Sequence, residues 1–129
     1  MKTLTGDIFA TVPKTDYLSF YRHKRLEYAK IKDFLEFKNE DVSSATGIPL
    51  DSIRFDERIP REVQERMREW ANALNLVAEH FKGDGVKTSL WFTTPNPLLG
   101  NIAPRDMIRL GRYKKLFAFI YNSLSENKR

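Results

Sequence analysis

The chain has no cysteine among its 129 residues. That excludes a disulfide framework, a thiolate zinc site and a cysteine nucleophile. It fits a reducing compartment, and a cytoplasmic location is expected. Histidine is nearly as scarce, with only His23 and His80 present. Neither has a serine or carboxylate at a spacing that marks a nucleophile and its base, so no catalytic residue is assigned and no enzyme is expected. No glycine-rich phosphate loop is present either. Gly83-Asp84-Gly85 punctuates two helical patterns and does not follow the dinucleotide fingerprint. Glu62, Glu65 and Glu69 form an acidic helix face without a converging histidine, so neither a metal site nor a cofactor is expected. Long apolar runs are missing too. Leu116 to Tyr121 is the longest, far short of the roughly 20 residues that span a bilayer. The opening MKTLTGDIFATVPK lacks the apolar centre of a signal peptide. No membrane partner is therefore expected, and no internal repeat is visible.

What is present is enough for a folded core, with 41% hydrophobic residues. The net charge of +5 is placed unevenly. Residues 105–129 carry seven basic and two acidic side chains, while residues 1–104 balance to zero. The basic end can attract nucleic acid or an acidic protein cleft, or simply form a solvated helix face.

The periodicity predicts an all-α fold of seven or so helices, with no convincing strand alternation. Residues 1–14 read as an arm. Thr15 or Asp16 caps a first helix whose apolar positions are Tyr17, Phe20, Tyr21, Tyr28, Ile31, Phe34 and Leu35, with a polar run at 22–27 that can break it. Asn39 caps a short helix that Gly47 ends, and Pro49 opens another from Leu50 to about Phe55. Pro60 opens the longest helix, to about Lys82. Its Val63, Met67, Trp70, Leu74, Val77 and Phe81 recur at steps of four and three and form one stripe. Glu62 and Arg66 are expected to pair on its outer face. Asp84 caps a helix through Leu90, Trp91 and Phe92 that Pro95 ends. Asn96-Pro97 starts a single turn closed by Gly100. Pro104 opens a helix to Leu110, stopped by Gly111. A last helix runs from Arg112 to about Ser123, with Leu116, Phe117, Ile120 and Leu124 facing inward.

Residues 40–55, EDVSSATGIPLDSIRF, carry the spacing of a helix-turn-helix: a small residue at the crossing (Ser43), a turn glycine (Gly47) and an aliphatic residue that folds back the second helix (Ile53). Leu50, Ser52 and Arg54 would then face a DNA groove, Arg54 reading a guanine and Ser52 meeting a phosphate. Charge speaks against this. Residues 39–57 hold one basic and five acidic side chains, whereas 14–38 hold seven basic and four acidic, among them Lys30 and Lys32. Operator binding and a purely structural or dimerising scaffold both remain open.

The most informative stretch is Trp91-Phe92-Thr93-Thr94-Pro95-Asn96-Pro97-Leu98-Leu99-Gly100, followed by Pro104-Arg105-Asp106-Met107-Ile108-Arg109-Leu110-Gly111. Its three prolines fix φ, so a shaped turn is held at small entropic cost. Trp91 is expected in the core, against Trp70 and Leu74. A tryptophan, a Pro-Asn turn, Leu-Gly, then Pro-x-Asp opening a helix that ends in glycine resembles the toxin-binding domain of the Xre/MbcA/ParS family of bacterial antitoxins. The likeness is strongest over 74–121, and residues 40–55 resemble the family's Xre-type N-terminal region. After the arm at 1–14, which finds no match in the family, it implies an Xre-like helix-turn-helix bundle at 15–59 and a toxin-binding domain at 60–129.

The resemblance also implies a partner, a RES-domain toxin that consumes NAD, held inactive by occlusion of its cleft. Candidate contacts on that partner are Asn96, Leu98, Arg105, Arg109, Arg112, Tyr113, Ser125, Lys128 and Arg129. The arginine planes suit carboxylates or phosphates in a cofactor cleft. Asp106, in the first turn of its helix, is expected to serve the helix dipole. A homodimer or a hetero-oligomer with the toxin is expected, with operator DNA a second candidate partner. The rival readings are a transcription regulator with no toxin partner and a structural dimer module.

Overall fold

Helix α3, Arg61–His80, is the axis on which the other elements pack. The structure, a computed structural model, describes residues 15–127; the expected arm at 1–14, and Lys128 and Arg129, lie outside the described residues. Along α3 the predicted stripe of Val63, Met67, Trp70, Leu74 and Val77 is buried. Phe81, just past the helix end, is half-buried against the same core. The helix stops where Lys82 and Gly83 take φ of 57° and 84°. A Cβ at 83 would also stand 3.2 Å from the Tyr17 ring, which would have to shift slightly to admit it.

The described residues form six α-helices, two 3-10 turns and a small hairpin. In chain order the other helices are α1 (Tyr28–Phe34), α2 (Asn39–Thr46), α4 (Gly85–Thr93), α5 (Pro104–Arg109) and α6 (Tyr113–Asn127). The mostly helical class agrees with the sequence reading. α1, α2, α4 and α6 pack on α3, and α5 bridges α2, α4 and α6. One apolar cluster runs from Phe20 through Phe37, Trp70 and Phe92 to Ile120, so the core draws on both sides of the boundary expected at 59/60. Phe37 meets Trp70 edge-on at 6.0 Å, and Phe20 meets Phe34 edge-on at 5.7 Å.

Three local expectations are corrected. The first helix does not start at 15 or 16. Residues 15–27 form a turn and an antiparallel hairpin, β1 (Tyr21–Arg22) and β2 (Arg25–Leu26), and α1 begins only at Tyr28. Asp16 is the cause. Its carboxylate accepts the amides of Phe20 and Tyr21 at 3.0 and 2.7 Å, a local alternative to helical bonding. The run Arg22-His23-Lys24-Arg25 also offers no apolar face to bury, and short helices depend on that burial.

The second correction concerns the helix-turn-helix. Its first helix is present as α2, closed by Gly47 at φ 78°. The expected helix at 50–55 is a single 3-10 turn, Leu50–Ser52, after which Ile53 is extended. Asp56 competes for the backbone here, accepting the Arg58 amide at 2.9 Å. Ile59, preceding Pro60, is further biased away from helical geometry. The paired helix that would enter a groove is therefore too short to form. On α3 the expected Glu62–Arg66 pair gives way to Arg66–Glu69 at 3.1 Å, because the Tyr113 hydroxyl draws the Arg66 guanidinium toward α6 at 2.6 Å.

Candidate partner-binding site

The proline-rich segment folds as a braced elbow. Asp84 caps α4 by accepting the Lys87 amide at 3.0 Å, and α4 ends at Thr93, shortly before Pro95. Asn96 then does several jobs. Its side chain accepts the Leu98 amide at 2.9 Å, its carbonyl accepts Leu99 and Asn101 at 2.9 Å each, and its amide donates to Ile102 at 3.2 Å. The 3-10 turn Pro97–Leu99 between these bonds closes at Gly100, whose φ of 75° favours glycine. Sequence reasoning anticipated both the cap and the stop.

This bracing has one product. Leu98 stands 78% exposed at the tip of the elbow. Beside it lies an apolar groove of ~190 Å³, walled by the end of α3 (Val77, His80, Phe81), by Trp91 and by α6 (Phe119, Leu124). Trp91 is thus half-buried on the groove wall, 5.0 Å and edge-on from the fully buried Phe92, and not deep against Trp70 and Leu74 as expected. On α4, Val86 and Leu90 are exposed one turn apart, while the Thr88 and Phe92 row is the one that faces inward. Val86 and Leu90 border a separate shallow depression beside Glu36, distinct from the groove at Leu98.

The remaining sequence candidates separate into engaged and exposed groups. Arg105 is held by the Leu35 carbonyl at 3.3 Å and Glu36 at 3.4 Å, so it ties α5 to the end of α1. Arg109 pairs with Asp106 at 3.2 Å, giving Asp106 a partner besides the helix dipole. Tyr113 bonds Arg66 and stacks edge-on with Phe117 at 5.7 Å. Arg112, with Lys114 and Lys115 beyond it, is exposed, and so is Ser125. Lys128 and Arg129 lie outside the described residues. The basic character of this end therefore reaches solvent at the start of α6, with less from α5 than expected.

Glu69 sits beneath this end of α6. Burial pushes its carboxyl above the usual carboxylate range, against the pull of Arg66 and Lys114, while Glu65 adds to the rise. Arg66 stays firmly protonated: burial opposes its charge, but the bond to Tyr113 and the field of Glu69 outweigh that.

The residues expected to meet DNA are largely occupied within the chain. Arg54 gives Nε and Nη2 to Asp56 at 3.2 and 2.9 Å. Lys30 donates to the Ser19 carbonyl at 2.8 Å, and Lys32 donates to Asn39 at 3.1 Å while lying over the Phe55 ring. Leu50 and Ser52 are exposed on the short turn. His80 lies against Phe81 on the groove, and His23 is exposed in the hairpin. Among the described residues, no three His, Asp or Glu side chains are placed to hold a metal ion, and no helix is long and apolar enough to cross a membrane.

Sequence reading missed Phe81, Phe119 and Leu124 as groove walls and Val86 and Leu90 as an exposed row. Phe119 offered a signal, since it falls outside the inward set of Leu116, Phe117, Ile120 and Leu124. No protein-family model, curated protein or solved structure matches the chain.

Proposed function

We propose that the chain is an antitoxin, a protein inhibitor that covers the NAD cleft of a RES-domain toxin with its C-terminal half. The observation that supports this most is Leu98, 78% exposed on an elbow that four hydrogen bonds of Asn96, three from its backbone and one from its side chain, keep in shape. A preformed apolar knob loses little freedom on docking, so its burial counts toward affinity. Trp91, Phe81 and Phe119 offer aromatic surface beside it, the residue type that dominates interface energetics. Arg112, Lys114 and Lys115 are exposed at the start of α6, near Arg66 and away from the groove, and suit an acidic or phosphate-bearing surface of the partner. The family likeness of the segment around Asn96 and Pro97 supplies the partner's class, and such an inhibitor would act in the cytoplasm as a dimer or in a complex with its toxin.

Autorepression through operator DNA is the weaker part of the reading. The second helix of the pair is only one 3-10 turn, and Arg54 is already committed to Asp56. Copurification of the tagged full chain with the product of its neighbouring gene tests the main reading. A stable complex and rescued growth are expected; no complex and no rescue would end it.

A further inference from the structure

At the other end of α3 lies a second, chemically different cleft of ~460 Å³. From Arg68 on its wall to Val77 in the apolar groove is nine residues of helix, or about 14 Å. The hairpin, the start of α1 and the first half of α3 enclose it, with Tyr21, Lys24, Arg25, Tyr28, Gln64 and Arg68 on its walls. That volume falls within the range of small-molecule sites.

Three features set this cleft apart from ordinary surface. Lys24, Arg25 and Arg68 converge on it, and none of them has an ion pair among the described residues. The hairpin turn that presents Lys24 is strained: His23 and Lys24 both sit at positive φ, 51° and 66°, where Asn-Gly would be the natural choice. Backbone strain of this kind concentrates at functional sites. Finally, Arg22 stands directly opposite Arg25 in the hairpin register, a like-charge pair that opposes strand pairing. Of that pair Arg25 lines the cleft, so an anion bound there would offset part of the repulsion.

The walls restrict the anion further. Tyr21 and Tyr28 supply aromatic faces on which a planar ring can stack. The Tyr28 hydroxyl and Gln64 Oε1 lie 3.4 Å apart, and Gln64 Nε2 donates to the Ile59 carbonyl, which fixes the amide. Asp56 also lines the cleft. Its carboxylate already accepts the Arg58 amide and the Arg54 guanidinium, which hold it below the usual carboxylate range. An ionised Asp56 repels phosphate from its own side and accepts hydroxyl donors there. The walls of the cleft therefore carry cationic, aromatic and acceptor groups together.

We propose that this cleft binds a nucleoside monophosphate, with the phosphate on Lys24, Arg25 and Arg68, the base against Tyr21 and Tyr28, and the ribose hydroxyls toward Asp56 and Gln64. The site is independent of the partner-binding reading and stands or falls separately from it.

Calorimetric titration of the full chain with AMP, adenosine and inorganic phosphate tests it, with amide NMR shifts locating the site. AMP saturates the chain and shifts the amides of Tyr21, Arg25 and Arg68. Adenosine and phosphate each bind at least about tenfold more weakly. Arg25→Ala and Arg68→Ala, both at exposed positions, each weaken AMP by about tenfold or more, while Leu98→Asp at the far end of α3 leaves it unchanged. The proposal is overturned if AMP shows no saturation by about 10 mM, if phosphate alone binds as well as AMP, or if both arginine variants bind AMP like the parent. A single-stranded oligonucleotide that binds the cleft when AMP does not would overturn it as well.

Discussion

Asn75, buried in the second half of α3, reaches back 59 residues to Asp16, its Nδ2 donating to Asp16 Oδ1 at 3.0 Å. The same carboxamide accepts the Leu18 amide through Oδ1 at 3.0 Å. Asp16 in turn holds the amides of Phe20 and Tyr21. One buried amide thus seats the whole entry segment, hairpin included, on the central helix.

Asn75→Ala strands the Leu18 amide and one Asp16 oxygen. It is expected to lower stability by about 1–3 kcal/mol, read as a shift in the denaturant midpoint. Asn75→Asp places a second carboxylate beside Asp16 and is expected to cost more. A midpoint unchanged in both variants would show that the entry segment is not held this way.

Asn72, one turn earlier and 1% exposed, has no hydrogen-bond partner for either side-chain atom among the described residues. A buried amide without partners is a cost, and alanine is the better helix former. Asn72→Ala is therefore expected to raise stability by about 1 kcal/mol in the same assay. A loss of similar size would reveal a partner for this carboxamide.

Glu69 binds its proton more tightly in the folded chain than in the unfolded one, since burial outweighs Arg66 and Lys114, and Glu65 works in the same direction. Its ionisation therefore costs stability. The cost is absent below the ordinary carboxylate range and grows as pH rises through the raised folded value. Glu69→Gln is expected to gain on the parent across that window and to differ by a constant amount above it. Thermal melts in a pH series read the difference, and a gap that shrinks with rising pH would reverse the sign.

Leu98→Asp should separate binding from folding. The side chain is exposed, so stability is expected to change by no more than about 0.5 kcal/mol. Affinity for the partner is expected to fall by at least about tenfold, as for a central anchor. An unchanged affinity would remove the elbow from the interface.

The elements that sequence made visible are those whose signals are local and agree with one another. The α3 stripe, the Asp84 and Asn96 caps and the glycine stops at 47, 100 and 111 all combine side-chain chemistry with a matching period. The hairpin at 21–26 was not legible because its organiser, Asp16, looks the same as a helix cap until Asn75 is brought to it. Ser43 lies on α2 and Gly47 ends it, but Asp56 and Pro60 leave no room for the second helix that the helix-turn-helix spacing suggested. At the candidate site Leu98 was legible, since prolines announced a fixed turn. The groove was not, because Trp91 and Phe119 come together only through the packing of α3, α4 and α6.

NAD loss catalysed by a RES-domain protein encoded beside this chain, followed as the purified full chain is added, reads whether the chain seals an NAD-consuming cleft. NAD consumption should fall to background once the chain matches the enzyme in amount, and Leu98→Asp should shift that point to higher concentration. Undiminished NAD loss in a large excess of the chain would contradict the account.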